Sequence, residues 1–209
     1  MTAVQGRFIS FEGGEGVGKT TQITRLAEFL RHAGIDVVVT REPGGTQVAE
    51  AIRTVLLDKA LPAMHADTEL MLMYAARVEH VQHLIKPALA KGQWVLSDRF
   101  ADASHVYQGA GRGVDPTRVD ALDAWTLQGF APDKTILFDM PVEQGMARVR
   151  SRGVADRFEE EKLEFFERVR EGYLARARAF PDRFVVIDAS QEMDTVTADL
   201  VEIVQQWMT

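Results

Sequence analysis

The chain of 209 residues contains no cysteine, which excludes disulfide bonds and thiolate metal sites. It has no apolar run approaching the roughly 18 residues of a membrane span, and its first residues lack the basic, apolar and cleavable succession of a leader peptide. Basic residues are outnumbered by acidic ones, 24 to 31, which disfavours nonspecific binding to nucleic acid. We therefore expect a cytoplasmic protein that binds neither membrane nor nucleic acid.

Short apolar runs separated by amphipathic stretches predict an α/β fold. With 46 % hydrophobic residues, the chain is long enough for one such domain over residues 1–209. The runs show little polar alternation, as in a parallel sheet covered on both faces, and the repeated strand–helix order indicates a doubly wound architecture. We predict five strands: Phe8–Glu12, Asp36–Thr40, Trp94–Asp98, Thr135–Asp139 and Phe184–Asp188.

The sequence predicts the first residue of two helices. Apolar residues at helical spacing predict a helix over Thr21–His32, and a plausible N-cap at Asp194 begins the last helix. In a doubly wound sheet, ligands bind beyond the carboxyl ends of the strands. The polar segments at those ends are Gly13–Thr20, Arg41–Thr46, Asp98–Phe100 and Asp139–Pro141.

Residues 13–20 read Gly-Gly-Glu-Gly-Val-Gly-Lys-Thr and match the phosphate-binding pattern G-x-x-x-x-G-K-[ST] between a predicted strand and a predicted helix. Glycines let successive backbone N–H groups turn toward a polyphosphate, Lys19 reaches the outer phosphates, and the Thr20 hydroxyl can ligate Mg²⁺. The sequence thus predicts a nucleoside triphosphate site. Its residues are Gly13, Gly14, Glu15, Gly16, Val17, Gly18, Lys19, Thr20 and Thr21.

Two absences narrow the class of P-loop protein. The chain has no asparagine, so it lacks the Asn-Lys-x-Asp loop of guanine-specific GTPases. The third predicted strand ends in Asp98-Arg99, without the glutamate that polarises water in motor and transport ATPases. Because an arginine at that point suits an anionic acceptor, the pattern favours phosphoryl transfer to a phosphorylated molecule over hydrolysis.

The stretch Ala147 to Phe158 carries four arginines within ten residues: Arg148, Arg150, Arg152 and Arg157. A solvated basic helix face is one interpretation, since Glu159-Glu160-Glu161 follows directly. Beside a P-loop, however, cationic donors can stabilise the charge of a transferring phosphoryl group and exclude water. We interpret residues 147–158 as an arginine-bearing lid.

With these residues in view, the sequence resembles the thymidylate kinase family of P-loop nucleoside monophosphate kinases over nearly its whole length. The markers are Phe11-Glu12-Gly13 entering the P-loop, Arg41-Glu42-Pro43-Gly44-Gly45-Thr46, Tyr74-Ala75-Ala76-Arg77, Asp98-Arg99-Phe100 and Tyr107-Gln108-Gly109-Ala110-Gly111-Arg112-Gly113. The resemblance implies a P-loop kinase fold with a five-stranded parallel sheet. It also implies ATP-dependent phosphorylation of dTMP to dTDP, a step of dTTP synthesis, with Mg²⁺ and in a homodimer.

The resemblance implies roles for the phosphate-facing residues. Arg99 would hold the dTMP phosphate and bridge it toward the γ-phosphate of ATP, and Thr20 and Asp98 would serve the metal, although Asp98 could instead fix a neighbouring arginine. Gly16 stands where some members carry a P-loop arginine, which points to the lid-arginine type. The implied catalytic set is Lys19, Arg99, Arg150, Arg152 and Glu15.

The resemblance also implies a dTMP site. Glu15 would face the 3′-hydroxyl, Arg77 would donate to thymine O4, and Tyr107 would pack against C2′ and exclude a ribose hydroxyl. Ser104 and Gln108 would complete the base contacts, and the Glu42-Pro43 turn would line the pocket. The full implied set is Glu15, Glu42, Pro43, Met73, Arg77, Arg99, Ser104, Tyr107 and Gln108.

The chain departs from the family pattern at two places. Met73 stands where a phenylalanine usually stacks on thymine, with Tyr74 beside it, and the residues alone do not decide which of the two contacts the base. Ala103 replaces the usual serine of the Asp-Arg-Tyr-x-x-Ser motif, so Ser104 would substitute for the next polar residue. Both changes concern base recognition and leave the phosphate chemistry intact.

Other functions remain as alternatives: a kinase for a different monophosphate or a nucleoside, or a nucleotide-binding switch without turnover. His80 and His83, three residues apart in a predicted helix, are interpreted as surface residues because no third metal ligand converges on them. The apolar face of residues 69–89 is the expected dimer surface, by resemblance.

Overall fold

A computed structural model describes residues 6–152 and 161–208, and for Arg152 the backbone alone. The described chain contains a five-stranded, fully parallel sheet in the order β2-β3-β1-β4-β5. The strands are β1 Phe8–Glu12, β2 Val37–Arg41, β3 Trp94–Asp98, β4 Lys134–Asp139 and β5 Phe184–Asp188. The predicted class is confirmed, and three strand boundaries, both ends of β2 and the start of β4, differ by one residue from the predicted ones.

Helices cover both faces of the sheet. They are α1 Lys19–His32, α2 Gln47–Leu57, α3 Ala66–His80, α4 Lys86–Ala90, α5 Ala101–Ser104, α6 Pro116–Leu127, α7 Val142–Arg152, α8 Leu163–Ala179 and α9 Met193–Gln205. Two π-helical segments, Val81–Ile85 and His105–Gly111, continue α3 and α5. Such wide turns often occur at functional sites, and the second one carries Tyr107 and Gln108.

Alternating side chains of the central strands pack on both faces of the sheet. Phe11 and Phe138 pack with Leu26 of α1 and Leu200 of α9 on one face of the sheet. On the other face Leu137 packs against α8, while Phe8 and Val95 pack in a separate cluster with the Val81–Ile85 segment. Because β1 is buried along its whole length, it contributes to both layers and fixes the position of the P-loop that follows it.

The structure corrects two predicted helix starts. The first helix begins at Lys19, two residues before the predicted Thr21, and the left-handed Gly18 is its N-cap. The last helix begins at Met193 with Glu192 as N-cap, so the prediction that Asp194 caps it is wrong. Asp194 lies in the first turn, where its carboxylate accepts from Arg25 Nη1 at 2.7 Å. Asp194 therefore pairs with a residue of α1 instead of capping its own helix, and a local sequence pattern does not encode such a tertiary contact.

Among the described residues, every helix is too short or too polar to cross a bilayer. The predicted lid of residues 147–158 begins inside α7, which ends at Arg152. Its remainder, including Arg157, lies outside the described residues.

Candidate active site

A cavity of about 590 Å³ opens at the carboxyl ends of the strands. Its wall is formed by the segments that follow β1, β2, β3 and β5, together with side chains of α2, α3, α7 and the His105–Gly111 segment. β1 is the central strand, with β3 on one side and β4 on the other. The cavity therefore lies where the strand order reverses, the usual ligand position in this architecture.

The P-loop presents backbone donors and one lysine to this cavity. Gly18 adopts a left-handed conformation (φ 88°) and caps α1 without a side-chain hydrogen bond, which leaves the first N–H groups of the helix to bind an anion. The Lys19 ammonium donates to the carbonyl oxygens of Gly13 and Gly14 at 3.2 and 3.0 Å. Burial lowers the pKa of Lys19, and the nearby charge of Arg99 lowers it further.

The predicted triphosphate residues divide between two cavities. Glu15 and the six residues that follow it, up to Thr21, line the main cavity. Gly13 and Gly14 lie instead beside a small cavity of about 20 Å³ under α7 and α8. The Thr20 hydroxyl lies 3.4 Å from Asp98 Oδ2, so two oxygen groups suited to Mg²⁺ lie together at the C-terminal end of the P-loop.

Arg99 is held rigidly at the end of β3. Its backbone is left-handed (φ 71°), which is uncommon for a residue other than glycine. Its Nη2 donates to Glu15 Oε1 at 2.7 Å, and its Nη1 donates to the Gly13 carbonyl at 3.1 Å and to the Tyr173 hydroxyl at 3.0 Å. Glu15 Oε1 also accepts from the Tyr107 hydroxyl at 2.8 Å. Arg99, Glu15 and Tyr107 therefore form one connected group.

Behind Arg99 lies a buried acid that the sequence did not single out as functional. Glu12 accepts from the Tyr173 hydroxyl at 2.7 Å and from the Phe100 backbone N–H at 2.8 Å. Its side chain is fully buried; burial, reinforced by the nearby Asp102 carboxylate, raises its pKa to about 8. Tyr173, which donates to Glu12 and accepts from Arg99, connects this acid to the site.

Arg77 is one of the largest fully buried side chains in the described structure. Its Nε donates to Glu42 Oε2 at 2.7 Å, and its Nη2 donates to Ser104 Oγ at 3.0 Å and to the Phe100 carbonyl at 3.2 Å. Nη1 has no hydrogen-bond partner within the described residues, although Arg77 lines the cavity. Since buried donors are normally paired, this atom marks a place for a ligand acceptor.

Gln108 shows the complementary feature. Its Nε2 donates to Glu69 Oε1 at 2.9 Å, while its Oε1, also buried, has no hydrogen-bond partner among the described residues. Gln108 lines the same cavity as Arg77. Within the described part of the chain, two buried side chains of the cavity thus offer a donor and an acceptor without a partner.

The structure shows which of the two neighbouring residues Met73 and Tyr74 can contact a bound base. Met73 lies on the cavity wall, whereas Tyr74 is buried behind it, donates to Asp123 Oδ1 at 2.6 Å and packs under the guanidinium of Arg77.

The second departure concerns residues 103 and 104. Ala103 and Ser104 both line the cavity, and Ser104 Oγ accepts a hydrogen bond from Arg77. Glu42 and Pro43 also lie on the wall.

The arginines of α7 differ in position. Arg148 lines the cavity, and its Nη1 donates to the Ala189 carbonyl at 3.3 Å. Arg150 is exposed on α7 and is not among the described residues that line the cavity. Arg152 ends the helix. The sequence pattern could not separate these residues, because the orientation of α7 depends on its packing.

Sequence reasoning missed part of the wall. The segment after β5 lines the cavity with Ala189, Ser190, Gln191, Glu192 and Met193, and α2 contributes Arg53 and Leu57. The strand-end rule was applied to the first four strands; extending it to Asp188 would have found the segment after β5. Arg41, in one of the predicted strand-end segments but not in the implied dTMP set, also lines the cavity.

Comparison with known proteins agrees with this geometry. Residues 11–200 match the family profile described as thymidylate kinase. This chain belongs to the thymidylate kinase family. It is 52 % identical over 203 residues to the thymidylate kinase of Alcanivorax borkumensis, covering 97 % of this chain and 98 % of the relative. It is 54 % identical over 197 residues to that of Chromohalobacter salexigens, covering 93 % of each chain.

A solved structure extends the comparison to the fold. The crystal structure of thymidylate kinase from Ehrlichia chaffeensis superposes with a TM-score of 0.78 at 34 % identity, covering 96 % of this chain and 98 % of that one. The region matched by the thymidylate kinase profile, residues 11–200, contains every described residue that lines the main cavity. The family relationship therefore includes the whole candidate site.

Proposed function

We propose that this protein is an ATP-dependent dTMP kinase that catalyses ATP + dTMP → ADP + dTDP, the step that supplies the immediate precursor of dTTP. The observation that carries the proposal is a pair of buried atoms on cavity-lining side chains that have no hydrogen-bond partner among the described residues: the donor Arg77 Nη1 and the acceptor Gln108 Oε1. Because both substrates are nucleotides of the cytoplasm, we propose that the enzyme works there.

This pair complements thymine. Thymine presents an acceptor at O4 next to a donor at N3–H, whereas cytosine presents a donor at its amino group next to an acceptor at N3. With cytosine, both buried protein atoms would face groups of their own kind and stay unpaired. Because an unpaired buried polar atom is costly, the pair favours thymine over cytosine by about 10²-fold or more. Met73, on the cavity wall, is placed to pack on the ring.

Phosphoryl transfer then depends on positioning and charge. Lys19 and the N-terminus of α1 hold the phosphates of ATP, and Arg99 binds the acceptor phosphate, to which a planar guanidinium can make two bonds. The α7 arginines neutralise charge that spreads over the transferred group. No general base is needed, because a phosphate monoester with a second pKa of about 6 is already dianionic at neutral pH.

The donor set at Thr20 and Asp98 fits Mg²⁺, since both groups supply oxygen and lie 3.4 Å apart. Mg²⁺ there would neutralise charge on the β- and γ-phosphates of ATP. Within the described residues, no group of three or more histidine, aspartate or glutamate side chains could hold a metal. This agrees with an ion that the nucleotide itself helps to bind.

The sugar would lie against Glu15 and Tyr107. The Glu15 carboxylate accepts from Arg99 and Tyr107, and it can accept the 3′-hydroxyl of dTMP as a further bond. Tyr107 is buried to 5 % exposure and its ring packs under the Arg99 guanidinium at 4.5 Å, so it has little freedom to move away. A fixed ring at that position would exclude a ribose 2′-hydroxyl.

We also propose a homodimer. Large apolar side chains are exposed on three neighbouring helices: Val48 and Val55 on α2, Met71 on α3 and Trp125 on α6. Trp125 is 75 % exposed and Met71 57 %, which is costly unless a second surface covers them. Sedimentation velocity should find a dimer, and Met71→Asp should give a folded monomer. A monomeric unsubstituted protein would disprove the proposal.

The test of function is ADP release from Mg-ATP, without acceptor and with dTMP, dUMP, UMP, dCMP, dGMP or thymidine. We expect strong stimulation by dTMP, less by dUMP, and almost none by UMP, dCMP or thymidine. The purine is included because guanine presents the same acceptor–donor edge, so its rejection must depend on cavity size. Stimulation by a different monophosphate would show that the protein is a kinase but that the assignment of the base pocket to thymine is wrong. ATP binding without acceptor-dependent ADP release would support a nucleotide-binding switch.

A further inference from the structure

We propose that Glu69, which does not line the cavity, is the residue that sets the donor–acceptor polarity of base recognition. It would do so by fixing the amide of Gln108 with its oxygen toward the ligand. The inference rests on the proposed function, in which the base lies against Gln108. Glu69 is thus a positioning residue for specificity.

A glutamine amide is by itself ambiguous. Rotation of its terminal torsion by 180° exchanges a carbonyl oxygen for an NH₂ group at nearly the same place. A free Gln108 could accept from thymine N3–H in one orientation and donate to cytosine N3 in the other. The residue type therefore does not encode the choice of base; its orientation does.

Glu69 removes this ambiguity. Its Oε1 lies 2.9 Å from Gln108 Nε2, and both side chains are buried at 1 % exposure. An ionised carboxylate can only accept, so turning the amide would bring two oxygens together and lose a charge-assisted hydrogen bond in a dry environment. Only one orientation of Gln108 is then compatible with the structure, and it leaves Oε1 without a hydrogen-bond partner among the described residues.

Arg112 holds the buried Glu69 carboxylate in place. Its Nε donates to Glu69 Oε1 at 3.3 Å and its Nη2 to Oε2 at 3.5 Å. The other side of the guanidinium donates to Glu161 Oε1 at 2.5 Å, and the group packs over the Phe165 ring. Because these bonds fix the position and rotation of the Glu69 carboxylate, loss of the guanidinium would let Glu69 turn away from Gln108.

The experiment is to compare kcat/KM for dTMP and dCMP in the unsubstituted protein and in Glu69→Gln. This substitution keeps the shape but lets the second amide either donate or accept, so Gln108 can turn. We expect the dTMP-to-dCMP ratio to fall at least tenfold, through a higher KM for dTMP and a lower one for dCMP, with the KM for ATP unchanged. Glu161→Gln, which changes a partner of Arg112 without reaching Gln108, should keep the ratio.

A double-substitution cycle separates positioning from general damage. In Gln108→Met the amide is gone, so adding Glu69→Gln should cause no further change in the ratio. Equal losses for both substrates in Glu69→Gln, or the same ratio as in the unsubstituted protein, would overturn the inference.

If Glu69→Gln does not fold, Arg112→Met tests the same point at a partly exposed residue. An unchanged dTMP-to-dCMP ratio in that folded variant would equally overturn the inference. If the unsubstituted protein does not use dTMP, the proposed function fails instead.

Discussion

Gly16 of the P-loop and Gly145 of α7 are in backbone contact: a Cβ built on Gly16 would lie 2.1 Å from the Gly145 carbonyl oxygen. The contact is reciprocal, because a Cβ on Gly145 would lie 2.4 Å from the carbonyl oxygen of Glu15. Gly16 also has a left-handed backbone, with φ at 73°. A P-loop arginine could not occupy this position without moving α7, so a cation from the lid side suits this packing.

This contact predicts the effect of Gly145→Ala. The added methyl group must push α7 away from the P-loop and displace Arg148, which lines the cavity from that helix. Because a displacement of about 1 Å in a catalytic group can cost up to about 10²-fold in rate, we expect kcat to fall 10- to 100-fold. Steady-state kinetics with Gln144→Ala, an exposed change on α7, provides the control. Normal kcat in Gly145→Ala would show that the helix can shift without consequence.

The lid arginines can be separated by substitution. By family resemblance, Arg152→Ala should lower kcat by about 10²- to 10³-fold with little change in KM for dTMP, because the lost donor acts on the transition state. Arg178→Ala, at an exposed position of α8, should leave both constants unchanged. An unchanged kcat in Arg152→Ala would show that another arginine stabilises the transition state. Arg148, on the cavity wall, and Arg150 are then the variants to measure.

Tyr107 offers a test of sugar discrimination. Tyr107→Ala should allow UMP to stimulate ADP release, because removal of the ring opens space beside C2′. Tyr107→Phe is the matched control: it deletes the hydroxyl that donates to Glu15 at 2.8 Å but keeps the ring, so UMP should remain excluded. Continued rejection of UMP by the alanine variant would show that another group blocks the 2′-hydroxyl.

Glu12 predicts a pH dependence of stability. Burial and the Asp102 carboxylate raise its folded pKa from 4.5 to about 8, so between these values the native state keeps a proton that the unfolded state has released. The contribution is complete below about pH 4.5 and is lost as pH rises through about 8. Between about pH 4.5 and 8 the free energy of unfolding should therefore fall with rising pH, by at most about 1.4 kcal/mol per pH unit.

Urea unfolding between pH 6 and 9 measures this slope. In Glu12→Gln the slope over that range should flatten, because the amide does not titrate, whereas Glu202→Gln on the exposed side of α9 should retain it. Asp102 does not interfere, since bonds from Arg183 and Arg176 outweigh its burial and hold its pKa below the usual value. Equal slopes in the protein and in Glu12→Gln would show that Glu12 is ionised when folded.

Local signals sufficed for some elements and failed for others. The P-loop is predictable because its glycines, lysine and threonine lie in one short contiguous stretch. The strands β1 and β3 are predictable because each is apolar except for one serine and a terminal acid. The prediction that His80 is a surface residue is wrong: His80 is fully buried, with Thr40 Oγ1 at 2.7 Å from one ring nitrogen and Glu42 Oε1 at 3.0 Å from the other. Its partners are distant in sequence, so helical spacing could not reveal them.

The sequence by itself determined the parallel α/β class, the phosphate-binding loop and, through its motifs, the family, because these depend on residue order over short stretches. Tertiary structure alone decided that Met73 rather than Tyr74 lies on the cavity wall and that Arg148 rather than Arg150 does. It also decided which atoms of Arg77 and Gln108 have no hydrogen-bond partner among the residues that the structure describes. Those outcomes follow from how helices pack and which buried hydrogen bonds are satisfied elsewhere. They exist only once residues far apart in the chain are brought together.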